Sequence, residues 1–345
     1  MKPVVALIGC GRIGFLLEND PLRYKPCTHY GGTKAARLSI THACDINEKR
    51  LHTFSKIAGI PQSHCYIDYQ KLIEQEKPQC VIIASWTNTH SPIGITAAQN
   101  GAKVIVCEKP IASDLTQAKA FIDACTTYNT TLIINHERRY DYRYNYVQRL
   151  IRNNEIGPIS SVYGFVFTPS KAHQPGSGGG PLLHDGTHLI DIVQYLFGNI
   201  AQVQGYTTRY SKDSLYEDYT IAHCLTTSGI HVTLEAGGHR DYFMFELQIF
   251  GTKGKIVIGN GYLQLYKPAK SKLYTGFNDL VAHAVTPKGK PDYFTKLYKE
   301  VKKCLKHSIP VTSSGYDGYS ALEVIDAIYR SANQNGSTVS IRMQN

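Results

Sequence analysis

The length and composition of the chain limit the classes of protein to which it can belong. Its 345 residues are too many for one small hydrophobic core, so we expect two domains. A hydrophobic fraction of 42% with 19% charged residues is typical of a globular protein and excludes a disordered chain. The first apolar run, Val4–Ile8, has the length of a strand, and we identify neither a membrane span nor an export signal. The sequence therefore predicts a cytoplasmic protein without a membrane partner.

The cysteines and the net charge each have more than one interpretation. The nine cysteines are scattered without a CxxC pair, and several lie in apolar runs, so we predict reduced thiols rather than disulfides or a zinc cluster. The formal net charge of +10 would suit a nucleic-acid-binding protein, and lysines are frequent from Lys267 to Lys306. The charge also suits an enzyme whose ligands carry phosphate. We favour the enzyme and predict no nucleic-acid partner.

Strands and helices alternate in the first part of the chain. The runs predicted as strands are Val4–Ile8, Leu38–Cys44, Cys80–Ala84, Lys103–Cys107 and Thr131–Asn135. Helical patterns lie between them at Asn47–Ala58, Tyr69–Glu76, Ser91–Asn100 and Asp114–Tyr128. This alternation predicts an α/β fold with a doubly wound parallel sheet, a Rossmann domain, over residues 1–135.

After residue 135 the pattern changes. A predicted helix at Asp141–Asn153 precedes a strand at Ile159–Thr168, the Gly-rich stretch Gly176–Gly180 and a helix that ends at Phe197. From Gln202 to Leu265, predicted strands follow one another without helices, at Tyr219–Thr226, His231–Ala236, Phe243–Phe250 and Lys255–Ile258. We therefore predict an α+β second domain over residues 136–345, with a mostly antiparallel sheet and a closing helix at Gly318–Gln334.

A glycine fingerprint follows the first predicted strand. Glycines at Gly9, Gly11 and Gly14 permit a tight turn and let backbone N–H groups approach a pyrophosphate. Asp45 ends the second strand and would accept hydrogen bonds from the adenosine ribose. Its carboxylate would repel a 2′-phosphate, so we predict NAD as the cofactor. NADP is less favoured, although Lys49 and Arg50 follow closely.

The spacing of this fingerprint is unusual. Asp45 follows Gly14 by 31 residues, whereas roughly 20 is usual. The excess lies in Phe15–Thr28, where Pro21 and Pro26 prevent one continuous helix. We interpret this segment as an insertion at the edge of the cofactor site, which could serve as a lid or form a passive surface loop.

Four motifs follow one another in the sequence: the glycine turn, Glu108-Lys109-Pro110, Asn135-His136-Glu137-Arg138-Arg139-Tyr140, and Gly178-Gly179-Gly180 leading into His184–Asp191. In this order they resemble the Gfo/Idh/MocA family, the glucose–fructose and inositol dehydrogenase group. The resemblance covers nearly the whole chain and implies an NAD-dependent oxidoreductase that acts on a sugar, inositol or sugar derivative. It also implies a homodimer or homotetramer. The cofactor contacts that it implies lie at Gly9, Gly11, Arg12, Ile13, Gly14, Asp45, Ser85, Thr87, Glu108 and Lys109.

Lys109 is the first candidate catalytic residue. It follows a predicted strand at the carboxyl edge of the sheet, where doubly wound sheets bind ligands. A lysine there could bind a substrate hydroxyl and help to stabilise charge as a hydride leaves the same carbon. The resemblance implies a cis peptide bond before Pro110. It also implies that His188 accepts the proton of the substrate hydroxyl, with Lys109 as its partner.

The second candidate group lies on a predicted helix. At α-helical spacing, His184, His188, Asp191 and Tyr195 share one face. The family pattern has Asp four residues before the catalytic His, and His184 holds that place here. We predict that His184 binds substrate or modulates Lys109, and that Asp191 accepts a substrate hydroxyl.

Three further residues are candidate substrate contacts. Arg138 and Tyr140 could contact an anionic or polyhydroxylated substrate, which could carry a phosphate or a nucleotide. Trp86 could line the substrate entrance or lie near the cofactor, and an ordinary packing role is an equal alternative.

Other functions stay open at this point. His184, His188 and Asp191 have a spacing that could coordinate zinc, which would indicate a metal-dependent hydrolase or lyase. The dinucleotide features make a metal unnecessary, and we predict none. A non-catalytic dinucleotide-binding regulator is a second alternative, since a histidine replaces the family carboxylate. A redox-neutral lyase or glycosidase that uses NAD transiently is a third.

Overall fold

The chain forms two compact units. The computed structural model describes residues 3–169, 179–210 and 214–341. Among these, the first unit comprises residues 3–141 and 291–319, and the second comprises 142–169, 179–210, 214–290 and 320–341. The predicted domain limits, 1–135 and 136–345, stay a prediction. Residues 291–319 belong to the first unit, and those limits assign them to the second domain. Of the predicted stretch Gly176–Gly180, residues 176–178 lie outside the described residues.

Strands and helices are numbered in chain order. The strands are β1 Val5–Ile8, β2 His42–Cys44, β3 Cys65–Tyr66, β4 Cys80–Ile83, β5 Val104–Cys107, β6 Thr131–Ile134, β7 Ile159–Phe167, β8 Ile200–Thr208, β9 Tyr219–Thr226, β10 His231–Gly237, β11 Met244–Gly251, β12 Gly254–Gly259, β13 Leu263–Lys270, β14 Asn278–His283 and β15 Val339–Ser340. The α-helices are α1 His29–Ala35, α2 Glu48–Ala58, α3 Tyr69–Glu76, α4 Thr87–Gln99, α5 Leu115–Thr127, α6 Tyr142–Arg152, α7 Thr187–Phe197, α8 Tyr293–Cys304 and α9 Gly315–Asn333. Short 3₁₀ helices lie at Leu16–Asn19, Gln62–His64 and Glu137–Tyr140, and a π-helical turn lies at Leu182–Gly186.

The first unit contains a six-stranded parallel sheet in the order β3-β2-β1-β4-β5-β6. Every residue of β1, β4 and β5 is buried, because strands of a parallel sheet are covered on both faces. This burial explains the unbroken apolar runs in the sequence and confirms the predicted doubly wound Rossmann fold. The strand order reverses between β1 and β4, and sheets of this kind bind ligands beyond the carboxyl ends of the strands at that point.

The second unit contains a nine-stranded sheet in the order β14-β13-β12-β11-β7-β10-β9-β8-β15. Neighbouring strands are antiparallel except β7 and β10, which are parallel. Helices α7 and α9 pack on one face of this sheet. Gly164 and Gly205 make room there, since a Cβ on either would press against Leu189 and Ile328 respectively. The predicted, mostly antiparallel α+β architecture is confirmed.

The lysine-rich segment near the end of the chain has a structural explanation in helix α8. Its residues Phe294, Leu297, Tyr298 and Val301 are buried in the hydrophobic core of the first unit. These positions recur at helical spacing, which leaves the intervening lysines on the other face of an amphipathic helix. The sequence analysis noted only the lysines and predicted no helix here.

Two further findings concern the whole described chain. No helix in the described ranges is both long and apolar enough to cross a membrane. All nine cysteines carry free thiols, and every one except Cys65 is buried.

Candidate active site

The glycine turn at the end of β1 is built for close backbone approach. Gly9 has a φ of +99°, and a Cβ there would collide with the carbonyl of Ala84 at the end of β4. A Cβ on Gly14 would collide with the carbonyl oxygen of Gly9. A Cβ on Gly11, in contrast, would meet only Nη1 of Arg50, at 3.7 Å. Gly9 and Gly14 therefore close the turn, and Gly11 borders open space that fits a pyrophosphate.

Asp45 lies beside this turn, immediately after β2. Its Oδ2 accepts a hydrogen bond from the backbone N–H of Cys10 at 2.8 Å, and its Oδ1 accepts one from the N–H of Asn47 at 2.8 Å. The side chain is buried and held in one orientation by these two donors. Each oxygen has a second lone pair, so the carboxylate can also accept hydroxyl groups from an adenosine ribose. Arg12 is exposed and Ile13 half-buried on the same turn.

The insertion at Phe15–Thr28 interrupts the helical hydrogen bonding that follows the glycine turn, and we call this segment the excursion. The N–H of Phe15 bonds to the carbonyl of Gly11, and after the excursion the N–H groups of His29 and Tyr30 bond to the carbonyls of Ile13 and Gly14, both at 3.0 Å. Helix α1 thus continues the hydrogen bonding of the turn that the excursion interrupts. Without these 14 residues Asp45 would follow Gly14 by 17 positions, which is near the usual spacing of about 20.

Hydrogen bonds connect the beginning and the end of the excursion. The Glu18 carboxylate accepts hydrogen bonds from the Thr28 hydroxyl at 2.6 Å and from the backbone N–H of Cys27 at 3.2 Å. Thr28 also caps α1 by accepting the N–H of Gly31 at 3.1 Å. The far end of the excursion is open to solvent, with Leu22 94% exposed. Whether it acts as a lid or as a passive loop stays a prediction.

The segment after β4 carries three of the predicted residues. Ser85 is half-buried, and its hydroxyl lies 2.7 Å from that of Thr89. Trp86 is 50% exposed and directly precedes α4, whose first residue, Thr87, is buried. All three are at the carboxyl edge of the sheet, next to the glycine turn in strand order, because β4 neighbours β1.

Lys109 lies in a turn that follows β5. The peptide bond between Lys109 and Pro110 is cis, as the resemblance implies, and the Lys109 side chain is half-buried. His90 of α4 is buried behind this turn, with Nδ1 2.8 Å from the Pro110 carbonyl and Nε2 3.2 Å from the Ser85 carbonyl. Burial lowers the pKa of His90 below its ordinary value, which favours a neutral ring at this position. A neutral ring has one N–H and so donates to only one of these two carbonyls, and His90 lies between the turns after β4 and β5.

Glu108, predicted to contact the cofactor, belongs to a buried polar network. Its Oε1 accepts hydrogen bonds from His29 Nε2 at 2.9 Å and from Asn135 Nδ2 at 2.6 Å. The other ring nitrogen of His29 lies 2.6 Å from the Tyr298 hydroxyl. Burial alone would raise the pKa of Glu108, but the hydrogen bonds from His29 and Asn135, with the charge of Lys109, outweigh it and lower the pKa. The sequence analysis missed His29 and Tyr298.

In the second unit, the predicted substrate residues lie on a π-helical turn and helix α7. His184 and Asp185 are half-buried within the π turn, whereas His188 and Asp191 are buried on α7, with 8% and 1% exposure. The Tyr195 hydroxyl donates to Asn145 Oδ1 at 3.1 Å. The α-helical geometry predicted from the sequence is therefore wrong at Leu182–Gly186, where the turn is π-helical. Single π turns inside helices are rare and are frequent at functional sites.

Arg138 and Tyr140 lie in the 3₁₀ helix of the first unit and differ in their surroundings. Arg138 Nη1 lies 2.7 Å from Glu137 Oε1, and the arginine is half-buried. Tyr140 is only 5% exposed, and its hydroxyl donates to Glu300 Oε2 at 2.6 Å. The proton of Tyr140 is thus already in use within the core, so this residue has a packing role. Its predicted substrate contact stays a prediction without support from this geometry.

Comparison with protein families identifies the chain. Residues 4–136 match the model of the oxidoreductase family's NAD-binding Rossmann fold. Residues 148–341 match the model of the same family's C-terminal alpha/beta domain. The chain belongs to the Gfo/Idh/MocA oxidoreductase family. The predicted resemblance is confirmed, and so is the NAD-binding domain.

Individual relatives are distant but extend over most of the chain. A D-apiose dehydrogenase from Paraburkholderia graminis is 25% identical over 98% of this chain and 89% of its own length. An inositol 2-dehydrogenase from Salmonella typhimurium is 27% identical over 72% of this chain and 71% of its own. Levoglucosan dehydrogenase in complex with NADH and levoglucosan has a TM-score of 0.80 at 21% identity, with both chains fully covered. The WlbA dehydrogenase from Bordetella pertussis, in complex with NADH and UDP-GlcNAcA, has a TM-score of 0.79 at 20% identity, with 99% of both chains covered.

Proposed function

We propose that this protein catalyses hydride transfer between NAD and a secondary alcohol of a sugar, an inositol or a sugar derivative. The observation that carries the proposal is the position of Lys109, which lies at the carboxyl edge of an NAD-binding sheet in a turn held by His90 and by the Glu108 network. Family membership supports the same reaction class, since the relatives include sugar and inositol dehydrogenases.

The proposed chemistry assigns one task to each side chain. NAD, held by the glycine turn and Asp45, would supply the acceptor for the hydride of the alcohol carbon. His188 accepts the hydroxyl proton as general base, and the Lys109 ammonium group binds the same oxygen and stabilises its negative charge as the hydride leaves. Asp191 and His184 bind neighbouring hydroxyl groups. Because a carbonyl, a proton and reduced cofactor are formed, the electrons and atoms balance without a metal or a second oxidant.

The experiment is a substrate panel followed by one pair of variants. Purified protein is mixed with NAD and a panel of polyols, aldoses, inositols and sugar acids, and the reduced-nicotinamide absorbance band is followed. Lys109→Met should lower kcat/KM by roughly 100- to 10,000-fold, which is the usual contribution of a positioned proton-handling group. NADH binding should stay within about threefold of wild type, well below the tenfold change that corresponds to a loss of 1.4 kcal/mol.

Lys103→Met is the matched control for this substitution. Lys103 is exposed and directly precedes β5, the strand that Lys109 follows, so it tests the loss of one lysine from the same region. NADH binding without turnover of any panel member would contradict the proposed reaction. Equal loss of activity in the Lys103→Met and Lys109→Met proteins would contradict the role of Lys109.

The quaternary structure and cellular location belong to the proposal as well. We propose a cytoplasmic homodimer or homotetramer assembled through the face of the nine-stranded sheet opposite α7. On that face Thr233, Tyr163 and Gln248 stand side by side on neighbouring strands, and Tyr163 is 41% exposed. Aromatic side chains are enriched in subunit interfaces. Light scattering coupled to size-exclusion chromatography tests the assembly, and a monomer at micromolar concentration would contradict it.

A further inference from the structure

The network behind Lys109 contains a histidine to which the proposed reaction assigns no role. His29 is fully buried, with 0% exposure, and bridges the Tyr298 hydroxyl of α8 and the Glu108 carboxylate that precedes Lys109. Its ring also packs edge-on against Phe294, with the ring centres 5.3 Å apart. These contacts come from one helix, α8, and from the end of a strand, β5, so the imidazole is held in one orientation.

The hydrogen bonding of Glu108 is asymmetric. His29 and Asn135 both donate to Oε1, and Oε2 receives no hydrogen bond from any of the described residues. A buried carboxylate without sufficient donors becomes protonated, because burial disfavours the charged form. The donors on Oε1 therefore keep Glu108 ionised, and the negative charge lies next to Lys109 along the chain.

We propose that His29 is a positioning residue for the hydride-transfer reaction, which holds Glu108 as an oriented carboxylate and thereby fixes the charge and placement of Lys109. The inference rests on the proposed function, in which Lys109 acts as a cation. If Glu108 were protonated, the turn would lose its anion, and its contacts to α1 would change from charge-assisted to neutral hydrogen bonds.

The alternative is that His29 only packs the core. Both roles predict a less stable protein when His29 is removed, but only the positioning role predicts a changed pH dependence of catalysis. Among the described residues, the titratable and charged groups that act on this network include Cys80 and Cys125, which face Tyr298 and Cys107 respectively. Its other members are His29, His90, Cys107, Glu108, Lys109 and Tyr298. Burial raises the pKa of the Cys107 thiol and the Tyr298 hydroxyl, so both stay uncharged in acid. Burial lowers the pKa of His90, which favours its neutral ring.

The test compares His29→Leu, His29→Gln and the control His52→Leu, which alters an exposed histidine on α2 of the same unit. Loss of the hydrogen bond from His29 should raise the pKa of Glu108, because burial disfavours its charged form. In the wild type, protonation of the proposed general base should lower log(kcat/KM) on the acid side with a slope of about one. In the His29→Leu protein Glu108 should titrate as well, and the slope should approach about two.

The slope of the acid limb in the His29→Gln protein should lie between about one and about two, because its amide can still donate to Glu108. The slope in the His52→Leu protein should match that of the wild type. Urea unfolding of each variant verifies that the protein compared is folded. An acid limb of unchanged slope in an active, folded His29→Leu protein would overturn the inference while leaving the proposed function intact. A wild type without turnover of any substrate would overturn the proposed function, and this inference with it.

Discussion

Replacement of Asp45 by asparagine is the sharpest test of the cofactor site, because it exchanges one carboxylate oxygen for an NH₂ group and keeps the shape of the side chain. The two carboxylate oxygens accept separate backbone N–H groups, from Cys10 and from Asn47, both at 2.8 Å. An amide has one oxygen and one NH₂ group, so it can accept only one of these donors. In the Asp45→Asn protein the other backbone N–H would face a second donor.

The magnitudes follow from these two hydrogen bonds. A buried donor left without an acceptor costs about 1–3 kcal/mol, so the free energy of unfolding should fall by that amount. The ribose hydroxyls lose a charged acceptor, which is worth about 1.5–3 kcal/mol and corresponds to roughly 10- to 150-fold weaker NADH binding. NADPH binding should weaken less or improve, because the 2′-phosphate no longer meets a carboxylate.

Two measurements with one control decide the outcome. Urea unfolding gives the change in stability, and calorimetric titration with NADH and NADPH gives the change in preference. The control is Asp68→Asn, at the N-cap of α3, where asparagine caps a helix about as well as aspartate. NADH affinity equal to wild type in the Asp45→Asn protein would refute the ribose contact. An unchanged unfolding free energy would refute the two-donor geometry.

Two further predictions concern the backbone and pH. Gly9→Ala should destabilise the protein by about 1–3 kcal/mol more than Gly59→Ala in urea unfolding, because both have positive φ but only Gly9 also faces a collision. Burial alone would raise the pKa of Asp218, but hydrogen bonds from the Tyr210 N–H and His239 outweigh it and lower the pKa. The stability from this group is therefore complete above about pH 4 and is lost as the pH falls through the lower, folded-state pKa. Asp218→Asn should flatten the acid side of the stability–pH curve; an equally steep curve would count against this assignment.

The parallel sheet could be predicted from the sequence because each of its central strands carries its own signal. A strand that is buried on both faces needs a continuous apolar run, and Cys80–Ile83 and Val104–Cys107 are such runs. Helix bounds were predictable to a few residues where a cap is visible, as at Asn47, whose side chain accepts the N–H of Arg50. Helix α1 has a cap at Thr28, but an excursion separates it from the turn that it continues, and the sequence predicted no helix there.

The residues of the candidate site also differ in whether a local sequence motif predicts them. Gly9 and Lys109 lie in short motifs whose chemistry depends on neighbours in sequence, so the motif alone indicates their roles. His29 has its hydrogen-bonding partner, Glu108, 79 positions away, and the contact exists only because α1 packs beside the end of β5. A local pattern contains no information about such a pair, and only the folded chain brings the two side chains together.

The π turn at Leu182–Gly186 explains why counting four residues back from His188 does not identify the residue that replaces the family carboxylate. A helical wheel assumes a constant advance of about 100° per residue, which follows from 3.6 residues per turn. A π turn bonds residue i to residue i+5 and therefore advances by a smaller angle at each step. The directions of His184 and Asp185 relative to His188 thus differ from those on an α-helical wheel. Both side chains are half-buried in this turn, so the position four residues before His188 does not by itself define the one that replaces the carboxylate.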